Sequence, residues 1–418
     1  MDRSIGPKIS EEITIKIPKA EKVNLNNNIQ LYLLPNPNLE VFRLEIVYDA
    51  GSVFGEKYAD AYFLSKMLTA GTEKLTAAQI AEKLDNFGGF LEVNQNYERL
   101  QIVLHGLQVH FDKYLTTLKS LIYESTIPEE ELTIQKNISK QTYLVNNEKT
   151  AFVASSVIKK ALFGNEHPFG KSMNAEEIDA IDKNGLTKFY NDFILKSPFK
   201  IFLSGKFDQE QIKQLNETFG QAPILSTERT FGLPSLQAPQ YQKIEKEGSL
   251  QSSIRIGKVT FNRNHPDFYG FMVMSTLLGG YFGSRLMKNI REEKGLTYGI
   301  SSQQVPLAGT GYFLIGTDVN KENVAVAIEE IQKEIDILKN TNVDADELSI
   351  VKNYMSGSIL GGTNTVFDLM DKQKAIIYEG LPLDFYDNLI PEIRKVDAEQ
   401  IKQIANTYLK DLTTVVVG

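Results

Sequence analysis

Arg291 and Tyr298, a guanidinium and a phenol seven positions apart, are residues of the kind that can act on a developing negative charge. A guanidinium is a rigid fork of donors with permanent charge. A preorganised hydroxyl donor at a forming oxyanion, when removed, costs about 10²–10³ in rate. Arg291 falls in the last turn of an expected helix that Gly295 stops, and Tyr298 falls just inside the strand expected next. Two rigid elements meeting at a short turn can hold two side chains accurately. The same residues also admit a structural account. An arginine near a helix C-terminus meets the dipole favourably, Arg291-Glu292-Glu293-Lys294 reads as a solvated face, and a strand tyrosine is commonly core or sheet surface. Just upstream, Gly279, Gly280 and Gly283 are expected to form a flexible loop on a substrate path, or simply a turn between helices. They make neither a dinucleotide nor a phosphate-binding motif in a strand–helix context.

Metal chemistry finds little support. The four histidines are His105, His110, His167 and His265, and no two are spaced i, i+4. His105 and His110 do not share a ligand face on a helix or a strand. The chain has no cysteine, which excludes thiolate zinc sites. No metal site is expected in this chain.

The elements that must position these residues follow from length and pattern. At 418 residues the chain exceeds a single core and should form about two domains. A net charge of −8 argues against a nucleic-acid footprint. No apolar run is long enough to span a membrane. The polar start, Met-Asp-Arg-Ser-Ile-Gly-Pro-Lys, lacks the apolar core of a signal peptide, so a cytoplasmic location is expected, or a periplasmic one if a leader has been removed.

Strand signals fall at Glu12–Ile17, Ile29–Leu34, Val41–Tyr48, Leu91–Gln95, Gln101–Gly106 and Phe199–Ser204. Helical patterns cover about 58–70 and 76–87, the second with Thr76 as N-cap and Gly88-Gly89 as its stop. Phe111–Tyr123, Glu129–Asn146, Ala151–Phe163 and a segment after Asp208 also read as helices. Gln221–Gly248 carries Pro223, Pro234 and Pro239 with little periodicity and is the expected linker. The order then repeats: strand Ser253–Phe261, helices at 266–278 and 284–293, strands Leu296–Val305 and Gly311–Asp318, and the long helix Lys321–Leu338. The junction Leu84–Val93 and the junction Ile290–Tyr298 open the same succession of elements. Two homologous α+β domains, 1–220 and 249–418 around a 221–248 linker, account for the repeat. Each should be a mostly antiparallel sheet packed with helices.

Residues 58–72 read Tyr-Ala-Asp-Ala-Tyr-Phe-Leu-Ser-Lys-Met-Leu-Thr-Ala-Gly-Thr. This resembles the zinc helix of the pitrilysin/insulinase-type (inverted-zincin) metallopeptidases, His-Phe-Leu-Glu-His-Met followed by Gly-Thr. The frame Phe63, Leu64, Met67, Gly71 and Thr72 stands, but the histidine positions hold Tyr62 and Lys66 and the glutamate position holds Ser65. An H-x-x-E-H helix works because two neutral imidazoles one turn apart grip zinc while the glutamate activates water. A phenol keeps its proton at neutral pH, an ammonium repels the cation, and serine has no carboxylate to act as base. The family's third ligand, a downstream glutamate, maps to the neighbourhood Ser139-Lys140-Gln141-Thr142-Tyr143, which has no carboxylate. Lys66 itself reads as a solvated or snorkelling lysine. The resemblance extends through Gly88-Gly89, His167-Pro168-Phe169-Gly170, Leu277–Tyr298 and Asp344–Leu360, nearly the whole chain.

The resemblance implies two α+β halves forming one half of a clamshell. It also implies roles for Arg291 and Tyr298, whose spacing matches the family's Arg/Tyr pair: the tyrosine hydroxyl on the scissile carbonyl as it becomes an oxyanion, the arginine on a substrate backbone carbonyl. The expectation is therefore a non-catalytic subunit of a two-chain zinc endopeptidase acting on unfolded peptides. A homologous H-x-x-E-H partner would supply zinc and the general base. The alternatives are an inactive structural or assembly protein of the same fold, or a peptide-binding homodimer.

Overall fold

The computed structural model describes residues 14–225 and 230–418. Two mixed sheets, each covered by helices, make up the chain. The first sheet contains β1 (Glu21–Asn24), β2 (Gln30–Pro35), β3 (Val41–Tyr48), β4 (Phe90–Gln95), β5 (Leu100–Leu107) and β6 (Phe199–Gly205). Its order is β1-β2-β6-β3-β5-β4, with β2 and β6 parallel and the other pairs antiparallel. The second contains β7 (Tyr241–Ile244), β8 (Gln251–Thr260), β9 (Ile300–Leu307), β10 (Thr310–Asn320) and β11 (Thr413–Val417). Its order is β7-β11-β8-β10-β9, with β7 and β11 parallel and the rest antiparallel. Strands β2 to β6 and β7 to β11 therefore occupy the same places, in the same chain order and with the same directions. A shared topology of this kind is what the sequence repeat anticipated.

Alternation sets the buried faces. On β5, Leu100, Ile102 and Leu104 are buried while the residues between them are partly open. The helix Ala77–Asp85 begins at Thr76 with a complete capping box to Gln79. The strand expected at Glu12–Ile17 does not form over its described part: residues 14–17 are irregular, and Glu12 and Ile13 lie outside the described residues. Ile15 and Ile17 are instead buried in the core of the second half, and the Ile17 amide donates to Asp387 Oδ1 at 2.8 Å. The stretch expected as linker contains β7, which closes the edge of the second sheet.

The halves are contiguous in sequence but interlocked in space. After β5 come the helices Phe111–Tyr123, Glu129–Asn147 and Thr150–Phe163; after β10 come Val324–Asn340, Ala345–Gly361 and Val366–Glu379. The third helix of each series crosses over. Ala154, Ile158, Ala161 and Leu162 of the first half pack with Val415 and Val417 of β11. Val366 and Met370 of the second half pack with Tyr32, Leu34, Val47 and Phe202 of the first sheet. A charge cluster fastens this second contact. Buried Arg43 on β3 grips Asp371 through two bonds of 2.8 and 3.1 Å, and Lys374 pairs with buried Glu45 and with Asp371. Among the described residues, no helix is long and apolar enough to cross a membrane.

Candidate functional site

The helix Asp60–Met67 carries the three positions where zinc chemistry is missing. Tyr62 is half-buried, Ser65 is buried and Lys66 is exposed. The Ser65 hydroxyl donates to the Tyr62 carbonyl at 2.7 Å, so it turns back onto its own helix. The Lys66 ammonium lies over the Tyr62 ring, 5.5 Å from its centroid. The Tyr62 hydroxyl meets Ser139 Oγ, on the facing helix Glu129–Asn147, at 3.4 Å. The fold thus brings the first expected ligand position and the downstream neighbourhood together, as a zinc site would require, but with a phenol and an alcohol. These donors do not fit zinc, and Lys66 adds a positive charge beside them. Among the described residues, no group of three or more His, Cys, Asp or Glu side chains could hold a metal ion.

In place of a metal centre there is a pocket of about 420 Å³. Tyr58, Tyr62, Gln95, Ser139, Tyr143 and Lys159 are among its walls. Desolvation by burial, reinforced by Tyr97 and Glu177, raises the Tyr58 phenol above its ordinary range and keeps it a neutral hydroxyl. His167 lies outside this pocket: its Nδ1 accepts from the Phe169 amide at 3.2 Å, and its Nε2 faces the Gly232 carbonyl at 2.9 Å. It is therefore the cap of a short turn.

Arg291 and Tyr298 lie in the second half. Arg291 belongs to a π-helical turn, Met287–Glu293, a rare form that recurs at functional sites. Its guanidinium stacks on Phe282, 4.4 Å from the ring centroid, and Phe282 is itself exposed. Tyr298 is not within a strand as expected. It sits on the turn after Gly295, before β9 begins at Ile300, and is 93% exposed. Gly295 takes φ +62°, a left-handed conformation that lets the chain leave the helix before reaching Tyr298. None of residues 279–298 lines the pocket around Tyr62, so the pair and the degenerate helix are not brought together within this chain.

The glycines do not form a flexible loop. Gly279 and Gly280 end a second π-helical turn, Thr276–Gly280. A Cβ on Gly279 would stand 2.6 Å from the Ser302 backbone nitrogen, so close packing on β9 requires glycine there. Gly283 lies in the tight turn in which the Ser284 amide bonds the Tyr281 carbonyl at 3.1 Å. That turn is pinned at both ends: Tyr281 stacks on Tyr354, and Arg285 holds Glu347 through bonds of 2.9 and 2.7 Å. Phe282, which the sequence reading passed over, carries the Arg291 contact. Lys159 was passed over as well, because its position in the pocket depends on the crossover of its helix.

Comparison with known proteins agrees with this architecture. Residues 33–175 match the family description "Insulinase (Peptidase family M16)", and residues 180–355 match "Peptidase M16 inactive domain". The chain belongs to the M16, insulinase-like family. A Bacillus subtilis relative called "Uncharacterized zinc protease YmxG" is 24% identical over 92% of this chain and 94% of its own length. A Helicobacter pylori relative called "Non-peptidase homolog YmxG" is 25% identical over 86% of this chain and 84% of its own length. The crystal structure of a peptidase M16 inactive domain from Pseudomonas fluorescens superposes with a TM-score of 0.86 at 22% identity, covering 96% of this chain and 98% of that one. These relatives fit a chain that is an inactive homologue of the family's peptidases.

Proposed function

We propose that this chain is the non-catalytic subunit of a two-chain zinc metalloendopeptidase. It presents Arg291 and Tyr298 to an active site whose zinc and general base reside on a homologous H-x-x-E-H subunit. The observation that carries the reading is the mismatch between the two halves. The helix Asp60–Met67 keeps its frame with no zinc donors on it, while Tyr298 stands almost fully exposed on a turn and the guanidinium of Arg291 is braced by an exposed phenylalanine. Among the described residues Tyr298 has no hydrogen-bond partner for its hydroxyl. Facing a partner's substrate cleft, its O–H is positioned to donate to the developing oxyanion, and Arg291 to a backbone carbonyl. The segment from Gly279 and Gly280 to Gly283 would form the adjoining wall of the substrate path. Peptide binding has a further support: β4 is an edge strand with unpaired backbone groups that an extended peptide could join.

The test is reconstitution with the H-x-x-E-H chain from the same organism and assay of peptide cleavage. Activity that neither chain shows alone, lowered about 10²–10³-fold by Tyr298→Phe with assembly intact, is expected. Full activity of the Tyr298→Phe pair would remove the catalytic role and leave a scaffold or peptide-binding protein of the same fold.

A further inference from the structure

The pocket that stands where a zinc site would be has its own chemistry, and it points to a ligand of definite class. Lys159 projects into it from the crossing helix Thr150–Phe163. Its ammonium has one hydrogen-bond partner among the described residues, the Tyr97 hydroxyl at 3.4 Å, and no carboxylate within ion-pair distance. Burial lowers its pKa, as it must for a cation without a counter-charge. Around it stand further donors: Gln95, Thr142, Ser156 and Ser172, the last with a buried Oγ that has no hydrogen-bond partner. No Asp or Glu is among the described residues that line the pocket; Glu177 lines the adjoining groove, and burial raises its carboxyl. The remaining walls are apolar or aromatic, with Tyr62, Tyr143, Phe152 and Met173 among them.

A desolvated ammonium without a carboxylate, and an unmatched hydroxyl beside it, are stabilised by an anion that brings its own acceptors. The aromatic walls then ask for an apolar body attached to that anion. We propose that this pocket binds a carboxylate carried on an apolar or aromatic group, with Lys159 as its counter-ion. A peptide C-terminus has this chemistry, and so does a free organic acid. The shape favours the peptide. Gln95 at the pocket ends the edge strand β4, and a second groove, also about 420 Å³, continues the pocket past Tyr143, Phe152 and Met173. The residues lining the pocket all lie between 52 and 173, and the inference is independent of any role for Arg291 and Tyr298.

Calorimetric titration of the full chain with the tripeptide Ala-Ala-Phe, its C-terminal amide and 3-phenylpropionate tests it. At least one acid should bind saturably, and the amide should bind about tenfold or more weakly than the free tripeptide if the terminus is what is read. Lys159→Met should lose acid binding by a similar factor, and Lys159→Arg should retain most of it. Tighter binding of the tripeptide than of 3-phenylpropionate assigns the pocket to a peptide terminus; the reverse order assigns it to a free acid. Equal affinity of tripeptide and amide with no binding of 3-phenylpropionate overturns the proposal. So does an absence of saturable binding by both acids in protein with a normal thermal melt. The comparison of acid with amide uses the unaltered chain, so it holds even if Lys159→Met fails to fold.

Discussion

Three side chains decide what this molecule cannot do alone. Tyr62, Ser65 and Lys66 occupy a helix of the right length and packing, and each is of the wrong chemical type for zinc. The contact of Tyr62 with Ser139 at 3.4 Å shows that the fold still sets this helix against the downstream one. Restoring chemistry should therefore restore binding in steps. Tyr62→His, Ser65→Glu and Lys66→His together supply two imidazoles and a base but no third ligand. Adding Ser139→Glu should give a chain that takes up zinc stoichiometrically, and the triple variant should bind much more weakly in the same metal titration. Equal zinc affinity of the two variants would show that Ser139 is not the third position. Arg291 and Tyr298 offer the complementary test. Tyr298→Phe removes one exposed hydroxyl, so it should leave the melting temperature unchanged while the reconstituted activity falls.

At the scale of elements, what matters is how tightly the turns and the crossing helices are held. Gly279 sits so close to β9 that Gly279→Ala must move a π-helical turn or a strand. A loss of about 1–3 kcal/mol in denaturant unfolding is expected, the usual cost of overpacking. A variant of unchanged stability would show that the contact with β9 does not require glycine. The crossing helix Val366–Glu379 is fixed by apolar burial on the first sheet. Met370 is fully buried there, so Met370→Ala should cost about 2–5 kcal/mol. Much of that loss is expected to appear in probes of the first half, although residue 370 belongs to the second in sequence.

The molecule as a whole is two repeats that cannot part without uncovering each other's sheet. Arg43, Glu45, Asp371 and Lys374 tie the same seam with charges. Burial raises the Asp371 carboxyl, but its hydrogen bond to Arg43 and the nearby Lys374 and Arg43 charges outweigh that, so its pKa lies below the ordinary value. The sign follows. A carboxylate with a lowered folded pKa adds stability that is present above its unfolded value of about 3.9 and is lost as the pH falls through the folded value. Asp371→Asn should therefore lower stability at neutral pH and flatten the decline below about pH 4, as read from urea unfolding at a series of pH values. An unchanged acid limb would show that the seam does not depend on this group.

Much of this protein could be read from residue order. Strand Val41–Tyr48 and helix Phe111–Tyr123 form where the residue pattern placed them, because strand alternation and helical periodicity are local signals. The loss of zinc donors is likewise a matter of residue type, readable once the helix frame around Tyr62 is aligned with its family. The repeat of element order foretold two sheets of one topology. Other features belong to the tertiary structure. Residues 14–17 have the composition of a strand, but their isoleucines find a core in the other half before they find a partner strand. Tyr298 looks like strand and stands in solvent on a turn, because β9 begins only where its backbone can pair with β10. Lys159 lies in a helix whose partner sheet comes from the far end of the chain. Local pattern specifies which face of a helix is apolar, not which sheet will cover it, so the pocket that Lys159 lines exists only after the crossover is made.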